Sequence, residues 1–389
     1  MALYSVEQQK ALSAFLGNRF DEFNELLEGF GEFVEEEILP TAEEIDKRAI
    51  FPKENVEKVF KQGFAQIPFP INVGGLGLPY LVYIGCMEIL SKACASTAIS
   101  LEIHGAVCDG LLQFGTEVQH KKYLGPLIRG EKLGAFCLTE PDSGSDAGAM
   151  KTKAELVGDH WLINGSKMYI TNSGVADIYM VFARTKNGYA AILVPRDAKG
   201  LKIGANIPKL GLKGSSLAAL NFDDVEVPAE NLLGEDGMGF EYAKRMLYGG
   251  RIAIAAMSVG IAQIAFDKTV SYSKERVAFG QKLSKFQITR SKIAEMATEI
   301  EAARLSTYFA ASLKGSGREF EREACEAKLL STEMALKVCN EAIQMHGGYG
   351  YTDEADVHRH WRDAKLMTIG EGTSEIMKVI IANHILGPE

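Results

Sequence analysis

The sequence predicts an α+β protein in three parts: an N-terminal α-helical domain over residues 1–133, a central antiparallel β domain over 134–237 and a C-terminal four-helix bundle domain over 238–389. Three changes of texture predict this order. Before Glu131, Phe20, Phe23, Leu26, Leu27 and Phe30 recur at spacings of three and four, the period of a helix with one buried face, and strand signals are few. Between Gly134 and Gly237 short runs rich in Val, Ile, Tyr and Phe take over, as at 178–183 and 190–194. Asn164-Gly165 and Asn187-Gly188 supply the positive φ angles that tight hairpins need. From Met238 long helical segments return, over about 240–279, 285–313, 320–345 and from Thr373 onward. Packed antiparallel, they would bury one another's apolar faces.

A chain of 389 residues is long enough for two or three such parts and for a deep ligand site. With 47% hydrophobic and 24% charged residues it is an ordinary globular composition, which excludes disorder as the main state. The 51 acidic against 42 basic residues, the latter scattered, leave no nucleic-acid footprint, so a polyanionic ligand must be met by local cations. Cys86, Cys94, Cys108, Cys137, Cys325 and Cys339 have neither finger nor framework spacing and point to a reducing compartment. The uncharged run Ile252–Phe266 falls short of the ~20 apolar residues of a membrane span, so a buried core helix is expected there. MALYSVEQQK has neither signal nor transit character, and a cytoplasmic location is the expectation.

Four segments carry residues suited to chemistry. AFCLTEPDSGSD at 135–146 is a short strand feeding a sharp turn, with hydroxyls at Thr139, Ser143 and Ser145 beside free backbone N–H groups; it can hold a flat heterocycle or a pyrophosphate, or simply be a turn with self-capping serines. In the strand ending MYITN, alternation puts Tyr169 and Thr171 on one face, as the flank of a ring system or as a half-buried surface pair. QMHGGYGY at 344–351 closes a helix with glycines that either admit a ligand closely or only stop the helix. In the last segment Glu371 stands between two glycines just before a helix capped by Thr373 or Ser374. Burial would make it a base, whereas a place in the first turn would make it a dipole-stabilised acid. His358 and His360 lack a third ligand at helical spacing, so no metal site is expected, and no GxSxG elbow is present. The glycines of PFPINVGGLGLP do not fit a dinucleotide fingerprint.

Taken in order, these segments resemble the acyl-CoA dehydrogenases, flavoenzymes that introduce a double bond between the α and β carbons of a coenzyme A thioester. AFCLTEPDSGSD at 135–146 and QMHGGYGYTDEADVHRHWRDAKLMTIGEGTSEI at 344–376 match family signatures, and GRIAIAAMSVGIAQ at 250–263 and ERVAFGQKLSKFQ at 275–287 fit as well. The resemblance spans nearly the whole chain. It implies bound FAD, a homotetramer built as a dimer of dimers, and electron-transfer flavoprotein as electron acceptor, with no membrane span and no nucleic acid. By matching positions it implies Phe136, Leu138, Thr139, Ser145, Tyr169 and Thr171 at the flavin ring. Arg276, Phe279 and Gln287 of an adjoining subunit would hold the diphosphate and adenosine end, near Gln344, Gly347 and Gly348. Thr373, Ser374 and Glu375 would meet the adenine diphosphate portion, and Ser145, Tyr248, Arg251 and Gly372 the thioester ligand.

Members of the family place the catalytic carboxylate at one of two positions, here Glu371 and Gly250; glycine carries no carboxyl, so the resemblance implies Glu371 as the base that removes the α-proton. Tyr169 stands where relatives often have Trp. Glu102 and His104 are polar in a region that usually lines the acyl pocket. Either both face solvent or an internal hydrogen bond, or they imply a short, branched, cyclic or polar acyl group, with Glu102 as a second acid or base. A glutaryl group would want a cation, and no Arg lies between Cys94 and Val107. Two competing classes make different demands. A catalytically silent flavin-binding scaffold would have lost the base, and an acyl-CoA oxidase would be longer.

Overall fold

The computed structural model describes residues 2–387. The chain begins with α1 (Val6–Leu16), α2 (Phe20–Phe33), α3 (Ala42–Arg48), α4 (Lys53–Lys61), α5 (Tyr80–Ala93), α6 (Ala95–Phe114) and the short α7 (Glu117–Gln119) and α8 (Gly125–Ile128). Eight strands follow: β1 (Gly134–Cys137), β2 (Lys153–Val157), β3 (His160–Thr171), β4 (Ile178–Thr185), β5 (Gly188–Pro195), β6 (Leu201–Ile203), β7 (Leu217–Pro228) and β8 (Leu232–Leu233). Then come α9 (Gly239–Glu275), a hairpin of β9 (Val277–Ala278) and β10 (Gln281–Lys282), α10 (Gln287–Gly315), α11 (Glu321–His346), α12 (Val357–Met367) and α13 (Ser374–Leu386).

The sheet runs β6-β7-β3-β2-β4-β5-β8 and is antiparallel except at β4, where β1 pairs in parallel from Gly134↔Ile178 to Cys137↔Val181 and β2 adds the parallel pair Lys153↔Arg184. The pairing of β1 corrects the fully antiparallel expectation; this short strand arrives directly from the helices and lies alongside β4 rather than closing a hairpin. Alternation along β4 shows why it is buried from Ile178 to Ala183: Ile178, Met180 and Phe182 face a core shared with α6 and α9, while Tyr179, Val181 and Ala183 face the core between strands.

Both helical regions share one continuous core, in which α5 packs on α9 and α9 on α10 and α11. Sandwiched between these neighbours, α9 is apolar nearly all round. One stretch of it has the length and composition of a membrane span, but 94% of that window is buried inside the protein, which makes it a core helix. It stops at Glu275, short of the expected 279, because Phe279 and Gly280 take φ of 51° and 77° and turn the β9–β10 hairpin. Helix α12 has no counterpart among the predicted elements. Its buried face carries Arg359, His360 and Asp363, so polar residues interrupt the apolar period; Asp363 Oδ1 accepts the Leu212 N–H at 2.6 Å.

Candidate active site

Glu371 lies in the turn between α12 and α13, two residues before the N-cap. Thr373 is that cap, its hydroxyl accepting the Ile376 N–H, whereas Ser374 donates to the carboxylate of Glu333 on α11. Glu371 is thus outside the helix, and its backbone is held in the left-handed region, with φ of 54° followed by 101° at Gly372. Two cations pin this strained pair: Arg251 Nε donates to the Glu371 carbonyl at 3.2 Å and Lys328 Nζ to that of Gly372. The side chain then reaches α9, where a methyl group on Gly250 would lie 2.3 Å from Glu371 Oε2 and 2.6 Å from Oε1. The space that a side chain at 250 would occupy is filled by this carboxyl.

Glu371 is half-buried overall, with one carboxyl oxygen cut off from water. Its Oε2 is buried without a donor, and burial raises its proton affinity above the ordinary glutamate range against the pull of Arg251 and Lys328. The Glu371 N–H makes no hydrogen bond among the described residues. A base and a free donor therefore sit on one residue, which suits abstraction of a proton next to a carbonyl oxygen.

Gly250 and Ala253 also wall a cavity of about 440 Å³ with Glu102, Gly105, Ala106 and Asp109 of α6, Tyr80 and Tyr83 of α5, and Lys314 of α10. The loop 68–79 lines one side of it, and Gly75 is required there because a Cβ would lie 2.0 Å from the Phe69 carbonyl oxygen. Glu102 and His104 part company. Glu102 is 2% exposed and lines the cavity; its proton affinity is raised well above normal by burial and by Glu371. His104 turns to the sheet, where Nδ1 accepts the Gly134 N–H at 3.1 Å, and burial lowers its pKa to about 4. A neutral, structural histidine results.

In the segment at 135–146 the self-capping turn is formed. Ser143 caps its own turn by donating to the Asp146 carbonyl at 2.6 Å, while Ser145 stays exposed. Phe136 packs on Phe182, Leu138 is buried, and the Thr139 carbonyl takes the Met168 N–H, which ties this loop to β3. In β3 a bulge between Lys167 and Ile170 gives Tyr169 a φ of 58° and leaves it 58% exposed on the side opposite buried Ile170, with Thr171 half-buried. Arg251 stacks over the Tyr248 ring at 4.8 Å, and a Cβ at Gly372 would meet Met377 and Arg251. Glu375 is exposed on the first turn of α13.

The remaining sequence-predicted residues lie elsewhere. Arg276, Gly347 and Gly348 line a second cavity of about 630 Å³ with Tyr272, His346 and Tyr349, and none of the β-domain residues takes part in it. Gly347 ends α11 with φ of 62°, and both glycines face open space where a Cβ would stand. Gln287 and Gln344 are exposed, and Phe279 is 97% exposed at the hairpin tip. Within one chain, then, these residues do not join the site around Glu371. Sequence reasoning passed over Lys328, Lys314, Asp109, Tyr80 and Tyr83. For Lys328 a signal existed: it falls on the apolar stripe Ala324, Ala327, Ser331, Ala335, where a lysine is buried at a cost and needs a partner.

Family models for the N-terminal, middle and C-terminal domains of acyl-CoA dehydrogenase match residues 21–131, 135–225 and 237–386. The chain belongs to the acyl-CoA dehydrogenase family. It is 46% identical, over 91% of its length and 95% of the relative's, to a short-chain specific acyl-CoA dehydrogenase of Clostridium acetobutylicum. Butyryl-CoA dehydrogenase from Megasphaera elsdenii has the same fold, with a TM-score of 0.91 and 40% identity over 98% of both chains. A chain in a structure of the electron transferring flavoprotein of Acidaminococcus fermentans superposes with a TM-score of 0.92 at 40% identity, over 99% of both chains. The family is one of flavoprotein oxidoreductases that act on acyl-CoA thioesters, and this chain catalyses acyl-CoA dehydrogenation.

Proposed function

We propose that the enzyme converts a short acyl-CoA, of about butyryl size, to the 2-enoyl-CoA with Glu371 as the base and FAD as the cofactor. The observation that carries this reading is the seating of the Glu371 carboxyl in the space left by Gly250, buried and without a donor at Oε2, beside a cavity of about 440 Å³. Relatives of the same length act on short-chain and butyryl thioesters. The thioester would lie with its α-carbon against Glu371 and its oxygen on the Glu371 N–H. A preorganised donor of this kind stabilises a developing enolate by about 3 kcal/mol. Arg251 and Lys328, holding the two carbonyls, fix the base in place, and positioning of this order is worth several powers of ten.

The residues present fit FAD. Tyr169 and Thr171 offer an aromatic face and a hydroxyl beside the 138–139 backbone and Ser145 for the ring system. The second cavity offers Arg276 and two bare glycines for a pyrophosphate, with Phe279 next in sequence to its Ala278 and Gln344 on the same end of α11 as its glycines, while Gln287 opens α10. Since the two groups are separate within one chain, a second copy would bring them together, in keeping with a tetramer. Thr373 and Glu375 would meet the adenine diphosphate portion, whereas the Ser374 hydroxyl is engaged with Glu333. When bound, FAD accepts the β-hydride. Electron-transfer flavoprotein is the proposed acceptor, and the six free, buried thiols support a reducing, cytoplasmic setting.

A second reading of the substrate follows from Glu102, Tyr80, Tyr83 and the Asp109–Lys314 ion pair at 3.0 Å, polar groups that suit a cyclic or polar acyl group. Anaerobic addition of thioesters to the holoenzyme tests both. Fastest bleaching of the flavin by butyryl-CoA supports the first and by a cyclic acyl-CoA the second; no bleaching by any thioester refutes the activity.

A further inference from the structure

Glu102 lines the first cavity together with Gly250, the residue on which the Glu371 carboxyl is seated, so two carboxyls, each with an oxygen buried without a donor, flank the same glycine, and the cations around them are engaged elsewhere. From α9, Arg251 gives Nε to the Glu371 carbonyl and Nη1 to Cys325 Sγ at 3.4 Å. From α11, Lys328 gives its ammonium to the Gly372 carbonyl; from α10, Lys314 pairs with Asp109 of α6 and lies over the Tyr80 ring at 4.4 Å. Tyr80 and Tyr83 of α5 are neutral, since burial holds both phenols well above their usual range, and Tyr80 donates to the Gly249 carbonyl at 3.2 Å. Tyr248 and Cys325 are likewise neutral, pushed up by burial. Glu102 Oε2 and Glu371 Oε2 are both buried, and neither has a donor while both carboxyls are ionised. Two bare carboxylates side by side in a water-poor site are unfavourable by far more than one shared proton.

We propose that Glu102 and Glu371 form a carboxyl pair holding one proton in the resting enzyme, with Glu102 the donor and Glu371 the ionised acceptor, so that Glu102 is a positioning residue for the base. This rests on the reading of Glu371 as base. The hydrogen bond from Glu102 would give both orphaned oxygens a partner and opposes the effect of burial on Glu371, lowering the proton affinity of the base. Substrate then meets an ionised base beside a neutral acid. When the α-carbon–hydrogen bond breaks, the proton passes to Glu371, Glu102 keeps its own, and the pair is left neutral.

The test uses the holoenzyme and three chains: unmodified, Glu102→Gln and Glu102→Leu. Gln keeps a donor without a titrating proton, and Leu removes the donor. The acid limb of kcat/KM for butyryl-CoA reports the free enzyme. It should coincide in the unmodified and Gln forms and move up by about one pH unit in the Leu form, about tenfold lower kcat/KM on the acid side. Difference infrared spectroscopy at neutral pH should show a buried protonated-carboxyl band that disappears in Glu102→Gln, a readout independent of turnover. An unmoved Leu limb, a Gln limb that travels with Leu, or a band that persists in Glu102→Gln overturns the proposal. Retained turnover in Glu371→Gln would instead overturn the base assignment and leave the infrared result to judge the pair.

Discussion

Replacing Gly250 by Ala sets stability and activity against each other. The added Cβ would stand 2.3 Å from Glu371 Oε2, 2.6 Å from Oε1 and 2.7 Å from Cδ, and ordinary contact begins near 3.4 Å. The obstructed atoms are the far end of a flexible side chain, so the fold escapes the clash if the carboxyl withdraws by about 1 Å. Inside a helix, Ala is favoured over Gly by ~0.5–1 kcal/mol, so the variant should unfold at an unchanged or slightly higher temperature. A base displaced by that distance should abstract the α-proton about 10²-fold more slowly. Stopped-flow reduction of the bound flavin by butyryl-CoA, beside thermal unfolding of the same preparations, measures both. Reduction within about threefold of the unmodified rate would show that the contact between Gly250 and the carboxyl does not position the base.

Three further outcomes are expected. Lys328, whose pKa burial lowers to about 8, still acts as a cation on Glu371; Lys328→Met should raise the proton affinity of the base, and the acid limb of flavin reduction should shift upward in a pH series. His104 has a folded pKa of about 4 against ~6.5 unfolded, so the unfolded chain binds the proton first. Stability present above pH 6.5 is lost as pH falls toward 4, by about 3 kcal/mol, and urea unfolding of His104→Gln should lack that slope while turnover is retained. Phe279→Ser removes a ring that is 97% exposed at the tip of the β9–β10 hairpin; sedimentation should show a smaller assembly and dialysis a faster loss of flavin, with helical content unchanged.

Much of this was legible from residue order because the signals are local. The change from helical to strand texture at Gly134 and the helices over 287–315 and 321–346 follow from period and turn chemistry. The place of Glu371 before a cap was readable, but whether it sat in the helix or outside was not; that was decided by a left-handed backbone pinned by Arg251 and Lys328, 120 and 43 residues away. Lys314 and Asp109 meet across two helices whose sequences carry no sign of each other. Likewise Glu102 and His104, two residues apart, could be told apart only once α6 was laid between cavity and sheet. The parallel pairing of β1 and the helix α12 escaped for related reasons: the first is a long-range choice of partner, and the second buries charges that break the apolar period.

On the proposed reading one carboxyl group, that of Glu371, removes the α-proton. Anaerobic mixing of Glu371→Gln with butyryl-CoA isolates that step, since the amide keeps the shape of the side chain but cannot accept the proton. The variant should load with flavin, still bind the thioester and reduce its cofactor at least about 10³-fold more slowly. Reduction at the unmodified rate would contradict that reading.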